Sequence, residues 1–227
     1  MSDFTLIETL RYEPAGSSDI GLDMGFARLR LHMARLSRSA RRLGFTLPND
    51  VTSRLEHAVA HATSPSRVRL ELARDGHLDI AVVPFTAQPP GTVWRVRIAE
   101  TRLASTDSLL RYKTSRREAY DAARGEWPPG EADEVLLLNE RGEPCEGTIT
   151  SLFLDDGTGI LKTPPIACGL LAGVLRTELI CARRARVERL TLDAVRAGSL
   201  FMGNALRGLI PARLVESEPF RTTRVVI

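Results

Sequence analysis

Five stretches of this 227-residue chain carry groups able to do chemistry. Lys113 lies between the apolar pair Leu109–Leu110 and the start of a predicted helix, with Arg111, Arg116 and Arg117 nearby in sequence. A lysine ordinarily reaches into water as a solvated cation. Buried beside other cations its pKa falls, and the neutral amine becomes a nucleophile for a carbonyl carbon. Glu146 stands just ahead of the apolar run Ile149–Leu154. Stripping water from a carboxylate is expensive, so Glu146 either sits at an exposed strand end or meets a cation inside. Gly173-Val174-Leu175 opens a predicted helix, whose free N–H groups and dipole favour an anion. Gly203-Asn204-Ala205, at a strand end, is either a tight turn or a further set of backbone and amide donors. Arg35 flanks the apolar stripe of the first predicted helix. It either snorkels to water or, if that flank faces a cleft, grips a phosphate.

The elements that must position these groups read as an α+β chain. Phe4–Tyr12 has the composition of a strand. Leu29, Met33, Leu36, Ala40 and Leu43 recur at helical spacing, which predicts a helix over Phe26–Leu43 stopped by Gly44. A second helix is expected from Asn49 or Asp50 to Ala62, with His57 and His61 exposed on one face; no metal site is expected there. Arg67–Ala73 and His77–Pro84 read as a hairpin, and Thr92–Ala99 as a further strand. Beyond a polar stretch at Ala104–Ser108 comes a short helix from Ser115 to Ala123. Asp133–Leu154 then reads as a buried hairpin, its apolar runs Val135–Leu138 and Ile149–Leu154 flanking a turn at Asn139–Gly142. Later elements are a strand at Ile160–Thr163, a helix ending near Arg183, a strand at Val187–Leu190, a helix at Thr191–Ala197, and strands at Ser199–Met202, Leu209–Val215 and Thr223–Ile227. Two lobes are expected rather than a regular βαβ array: residues 1–104, a linker at 105–112, and residues 113–227.

Composition narrows the class. No apolar run approaches the ~20 residues of a membrane helix, and the N-terminus lacks the pattern of a secretory signal. The net charge of +3 is spread over scattered arginines, without the dense basic stripe of a nucleic-acid binder. Cys145, Cys168 and Cys181 form no CxxC pair and leave an odd number, which fits a reducing, cytoplasmic location.

Taken together, HMARL (His32–Leu36), YKTSRR (Tyr112–Arg117), EGTITSLF (Glu146–Phe153), GLLAGVLR (Gly169–Arg176) and FMGNALRGLIPARL (Phe201–Leu214) resemble, in order and spacing, the class-IV aminotransferases. These are the fold-type IV pyridoxal-phosphate enzymes, and the resemblance runs from Phe4 to Val215. It implies a small N-terminal α/β lobe and a larger lobe rich in strands, with pyridoxal 5'-phosphate in the cleft between them. Lys113 would be the catalytic Schiff-base lysine. Glu146 would pair with the pyridine nitrogen, and Arg35 would bind the phosphate. Val174, Leu175, Asn204 and Ala205 would complete the phosphate cup. The partners implied are a small amino or keto acid and a second subunit in a homodimer, without nucleic acid or membrane. Relatives generally carry an N-terminal hairpin ahead of the strand at which this chain starts. Branched-chain members place a tyrosine five residues after the lysine, where this chain has Glu118 and then Tyr120. The look is closer to 4-amino-4-deoxychorismate lyase, which eliminates pyruvate. Transamination is the alternative reaction, and a non-catalytic cofactor-binding relative a third reading.

Overall fold

The computed structural model describes residues 4–14 and 22–215. The first half builds an antiparallel five-stranded sheet, ordered β2-β3-β1-β4-β5. Strand β1 (Leu6–Tyr12) is followed by the short hairpin β2 (Leu22–Asp23) and β3 (Phe26–Ala27), then by helices α1 (Leu29–Leu43) and α2 (Val51–Val59). The hairpin β4 (Ser66–Leu72) and β5 (Leu78–Pro84) completes the sheet. Leu6 and Leu10 of β1, Val68, Leu70 and Leu72 of β4, and Leu29, Leu36, Ala40, Leu55 and Val59 of the helices form one buried cluster. Period-two strands and a period-3.6 helix stripe thus close on each other.

The predicted helix over Phe26–Leu43 begins three residues late. Met24, Gly25 and Arg28 all take positive φ, which interrupts a right-handed helix, and Phe26 is buried in β3 opposite Tyr12 instead. The stop at Gly44 holds, with φ of 70°. Helix α2 is shorter than expected; the Asp50 carboxylate pairs with Arg54 at 3.0 Å and makes no side-chain cap. His57 and His61 are exposed.

The second sheet contains β6 (Trp94–Leu103), β7 (Glu134–Asn139), β8 (Pro144–Gly147), β9 (Ser151–Asp155), β10 (Leu161–Thr163), β11 (Ala185–Val187), β12 (Ser199–Asn204) and β13 (Gly208–Leu214), interspersed with helices α3 (Glu118–Gly125), α4 (Val174–Cys181) and α5 (Leu192–Ala197). Its order is β11-β10-β9-β12-β13-β6-β7-β8, and a further pairing of β8 with β9 closes six strands on themselves. Strand β6 lies inside this sheet, parallel to β7 and β13, although the sequence reading placed it with the first lobe. The chain therefore crosses between sheets within residues 85–93. The expected linker is tied down: Ser105 is buried and donates through its backbone N–H and hydroxyl to the Glu140 carboxylate.

The buried hairpin of the sequence reading is a three-stranded meander. β7 returns through β8, whose Glu146 lies opposite Leu137, and the second apolar run forms β9 only after a tight bend at 148–150. Ile149, on that bend, is exposed rather than part of the strand. Smaller corrections are the later start of α3 (Glu118, not Ser115), the earlier end of α4 (Cys181, not Arg183) and the earlier position of β11 (Ala185–Val187, not Val187–Leu190). The expected strand Thr223–Ile227 lies outside the described residues.

Candidate active site

The two sheets are stitched together at Lys113. Its carbonyl accepts from Ile7 N–H at 2.8 Å, Ser115 N–H donates to Thr5 O at 3.0 Å, and Thr114 bridges to Leu6. The start of β1 thus fixes the backbone on both sides of the lysine. Lys113 opens onto a cavity of about 290 Å³ whose wall also contains Arg35, Glu146, Val174, Leu175, Asn204 and Ala205. Every site residue named from the sequence lines this one cavity. Burial, then the nearby guanidinium groups of Arg35 and Arg117, pull the Lys113 amine down to about 8. Lys162, the other lysine of the chain, contrasts with it: paired with Asp156 and Glu188 at 2.7 Å each, it is held above the usual lysine range.

Arg35 is buried, and a carboxylate that the sequence reading missed holds it there. Glu8 of β1 accepts from Arg35 Nε at 2.8 Å and Nη2 at 2.6 Å, and its Oε2 also meets His32 Nδ1 at 2.6 Å. Burial raises the Glu8 pKa, but the Arg35 and His32 contacts more than offset this and bring it to about 2. One edge of the guanidinium, Nε and Nη2, is spent on Glu8, which leaves Nη1 for a ligand in the cavity. Glu8 lies below its ordinary value of 4.5, so its contribution to stability is complete above about pH 4.5 and is lost as pH falls through about 2. Glu8→Gln should cost about 3–5 kcal/mol at pH 7, as expected for breaking a buried ion pair. Denaturant titrations should show the gap to wild type narrowing as pH approaches 2.

Glu146 is buried in β8 and its Oε1 takes two hydrogen bonds, from Tyr120 Oη at 2.7 Å and from Leu171 N–H at 3.1 Å. Burial drives its pKa up to about 7, against the opposing effects of Tyr120, Leu171, Lys113 and Arg117. The carboxylate therefore lacks enough positive charge around it, and Glu146 lines the cavity. Tyr120 was noted in the sequence only as the nearest tyrosine to Glu118; it is the donor that orients Glu146, with Arg117 stacked 5.0 Å from its ring centre. In cofactor-free protein the ionised form of Glu146 opposes folding. That penalty develops as pH rises from about 4.5 to about 7. Glu146→Gln should therefore raise the melting temperature of cofactor-free protein at pH 8 and leave it nearly unchanged at pH 4.5.

At the other end of the cavity, α4 begins after Gly173 with no side-chain cap and no acidic residue in its first turn, which leaves its N–H groups open to an anion. A Cβ on Gly173 would come within 2.6 Å of Ser151 Oγ, so glycine permits the close approach of β9. The Asn204 side chain is not a free donor. Its Oδ1 accepts from Leu206 and Arg207 N–H and its Nδ2 donates to Ile149 O, so only the backbone of the Asn204–Ala205 turn could serve a ligand. Arg28 pins that turn to α4, donating to Ala205 O and pairing with Glu178. Fully buried Glu134 holds the 148–150 bend, accepting from the N–H groups of Thr148 and Ile149 and the hydroxyls of Thr148 and Thr150.

A low-pKa amine, a buried carboxylate short of cations and an anion cup share one cavity, and the comparisons with known proteins agree with that arrangement. The sequence model for amino-transferase class IV matches residues 5–215. The chain belongs to this family. A Schizosaccharomyces pombe protein, provisionally named an aminodeoxychorismate lyase, is 32% identical over 158 residues. The match covers 66% of this chain and 65% of that protein, just under two thirds of the curated relative's length. A solved Mesorhizobium loti structure, provisionally named an amino-acid aminotransferase, aligns at 47% identity and a TM-score of 0.88, covering 94% of this chain and 100% of that one. The 4-amino-4-deoxychorismate lyase of Pseudomonas aeruginosa shares the fold at 23% identity and a TM-score of 0.73, covering 94% and 84% of the two chains. The α+β architecture with a large multi-stranded sheet is that of the fold-type IV class-IV aminotransferases.

The family depends on pyridoxal phosphate, and the residues present fit that group. An uncompensated buried carboxylate suits a pyridinium nitrogen. The free Nη1 of Arg35 and the open start of α4 suit a phosphate, and the low-pKa lysine suits an aldehyde.

Proposed function

We propose that this chain is a pyridoxal-phosphate enzyme acting on a small amino acid, and that elimination of pyruvate, as in 4-amino-4-deoxychorismate lyases, is its preferred reaction. The observation that carries this reading is the placement of Lys113, with its pKa near 8, in one cavity with Glu146 and Arg35. Bound there, the cofactor supplies an electron sink for the carbon beside the substrate amino group. Lys113 would hold the cofactor through its aldehyde and would carry the proton at the substrate α-carbon. An amine near pH 8 is suited to both tasks. Glu146, oriented by Tyr120 and Leu171, would balance the charge of the ring nitrogen. Arg35, steadied by Glu8, would hold the phosphate with the N–H groups of Val174 and Leu175 and the Asn204–Ala205 turn.

The Schizosaccharomyces pombe relative supports the lyase reading, as does Glu118 at the position where branched-chain members carry tyrosine. The Mesorhizobium loti structure favours transamination between an amino acid and a 2-oxo acid as the second reading. Purified protein loaded with cofactor should release pyruvate from 4-amino-4-deoxychorismate. Turnover confined to an amino-acid and keto-acid panel would replace the lyase by the aminotransferase. A homodimer whose partner walls the cavity belongs to the same reading. A cytoplasmic location also fits, given that all three cysteines are free thiols and no described helix is long and apolar enough to cross a membrane.

A further inference from the structure

A second cavity, of about 410 Å³, lies between α1, α4 and the short 3-10 helix Ser108–Arg111. Arg35 and Tyr112 line both cavities and so form the partition between them. From α1, Arg35, Arg38, Ser39 and Arg42 reach the second cavity at the i, i+3, i+4, i+7 spacing of a single helix stripe. Arg111 contributes from the 3-10 helix and Arg176 from α4, and no aspartate or glutamate lines the space.

Apart from Arg35, which Glu8 neutralises, these cations lack a paired carboxylate among the described residues. Among the described residues, the side chains of Arg38, Arg42 and Arg111 make no ion pair or hydrogen bond. Arg176 is the sharper case. It is 4% exposed, and its Nη2 donates to Pro164 O at 2.8 Å. Its Nε is buried without a partner, and no carboxylate lies within ion-pair distance. Burial, opposed only by Glu146, holds it below the usual arginine range. A buried cation with no counter-ion is strongly unfavourable, and like charges four residues apart, as at Arg38 and Arg42, repel along a helix. An anion in the groove would relieve both. Several guanidinium forks around a compact space match a group with more than one charge and oxygens in several directions, the pattern of phosphate rather than of a lone carboxylate.

We infer that the groove between α1 and α4 is a second anion site, separate from the cavity of Lys113, and that it takes a compact phosphate compound. The site goes beyond the reaction proposed above and requires no part of it. Its test is calorimetric titration with inorganic pyrophosphate at physiological salt, comparing wild type with R38S/R42S, each measured with and without pyridoxal phosphate. Arg38 and Arg42 are exposed and do not line the cavity of Lys113, so the double variant should keep the wild-type melting temperature and visible absorption. One pyrophosphate should bind to wild type in the presence of the cofactor, and the double variant should bind it roughly tenfold or more weakly. Absence of binding to wild type, unchanged binding to R38S/R42S, or displacement of the cofactor by pyrophosphate would overturn the site. Citrate binding as tightly as pyrophosphate would overturn the assignment to phosphate.

Discussion

Lys113→Ala should abolish the visible absorption of the cofactor-loaded protein and lower kcat/KM by more than about 10⁴-fold. A positioned acid–base group alone is worth about 10²–10⁴-fold, and in the proposed reading Lys113 is also the covalent anchor. The fold should survive the change. The lysine's structural contact is made by its backbone carbonyl, which accepts from Ile7, and its side chain is only half-buried. Removing a cation crowded by Arg35 and Arg117 relieves repulsion, so the melting temperature of cofactor-free protein should hold or rise. Lys113→Arg separates charge from nucleophilicity. Arginine keeps the positive charge yet has no neutral form at working pH, so it should be as inactive as alanine. An arginine variant that retained turnover would reduce Lys113 to an electrostatic role.

Glu146→Gln should leave the cofactor attached to Lys113 but slow turnover by at least about 10²-fold, the scale on which removal of a preorganised charge is felt. Glutamine has nearly the same shape and can still accept from Tyr120 and Leu171, so the site geometry persists. The lost element is the negative charge proposed to balance the ring nitrogen. The loss should fall mainly on kcat, because in the proposed reading Arg35 and the α4 N–H groups would still hold the phosphate. Single-turnover kinetics, with cofactor content measured beside them, would separate the two effects. Activity equal to wild type would make Glu146 an ordinary buried strand carboxylate.

The parts of this site legible in the sequence were those whose chemistry is local. A lysine next to an apolar pair, a glycine opening a helix and an arginine beside a core stripe can each be read from neighbours in the chain. All of them line one cavity. The groups that hold them come from elsewhere in the chain: Glu8 lies 27 residues from Arg35, and Tyr120 lies 26 from Glu146. A signal for Glu8 was present all the same. It sits two residues from both Leu6 and Leu10, on the face that strand alternation sends to the core, and a carboxylate there demands a buried partner. Glu134, just ahead of the run Val135–Leu138, posed the same question, and Thr148 and Thr150 are the answer. The meander was misread because Ile149 extended the apolar run that follows Glu146. Hydrophobicity gives no warning that a residue will be left outside on a bend. The hairpin of β2 and β3 was hidden likewise: Phe26 fits the helical stripe, and only the left-handed backbone at Met24, Gly25 and Arg28 shows that the helix has not begun.

The central claim is that one specific amine carries the cofactor, and the chain's composition makes it directly measurable. Lys113 and Lys162 are the chain's two lysines. Borohydride reduction of protein incubated with pyridoxal phosphate, followed by proteolysis and mass spectrometry, should place the added cofactor mass on the Lys113 peptide. Lys162, bound to Asp156 and Glu188, should remain unlabelled. Label on Lys162 alone, or on neither lysine, would contradict the account.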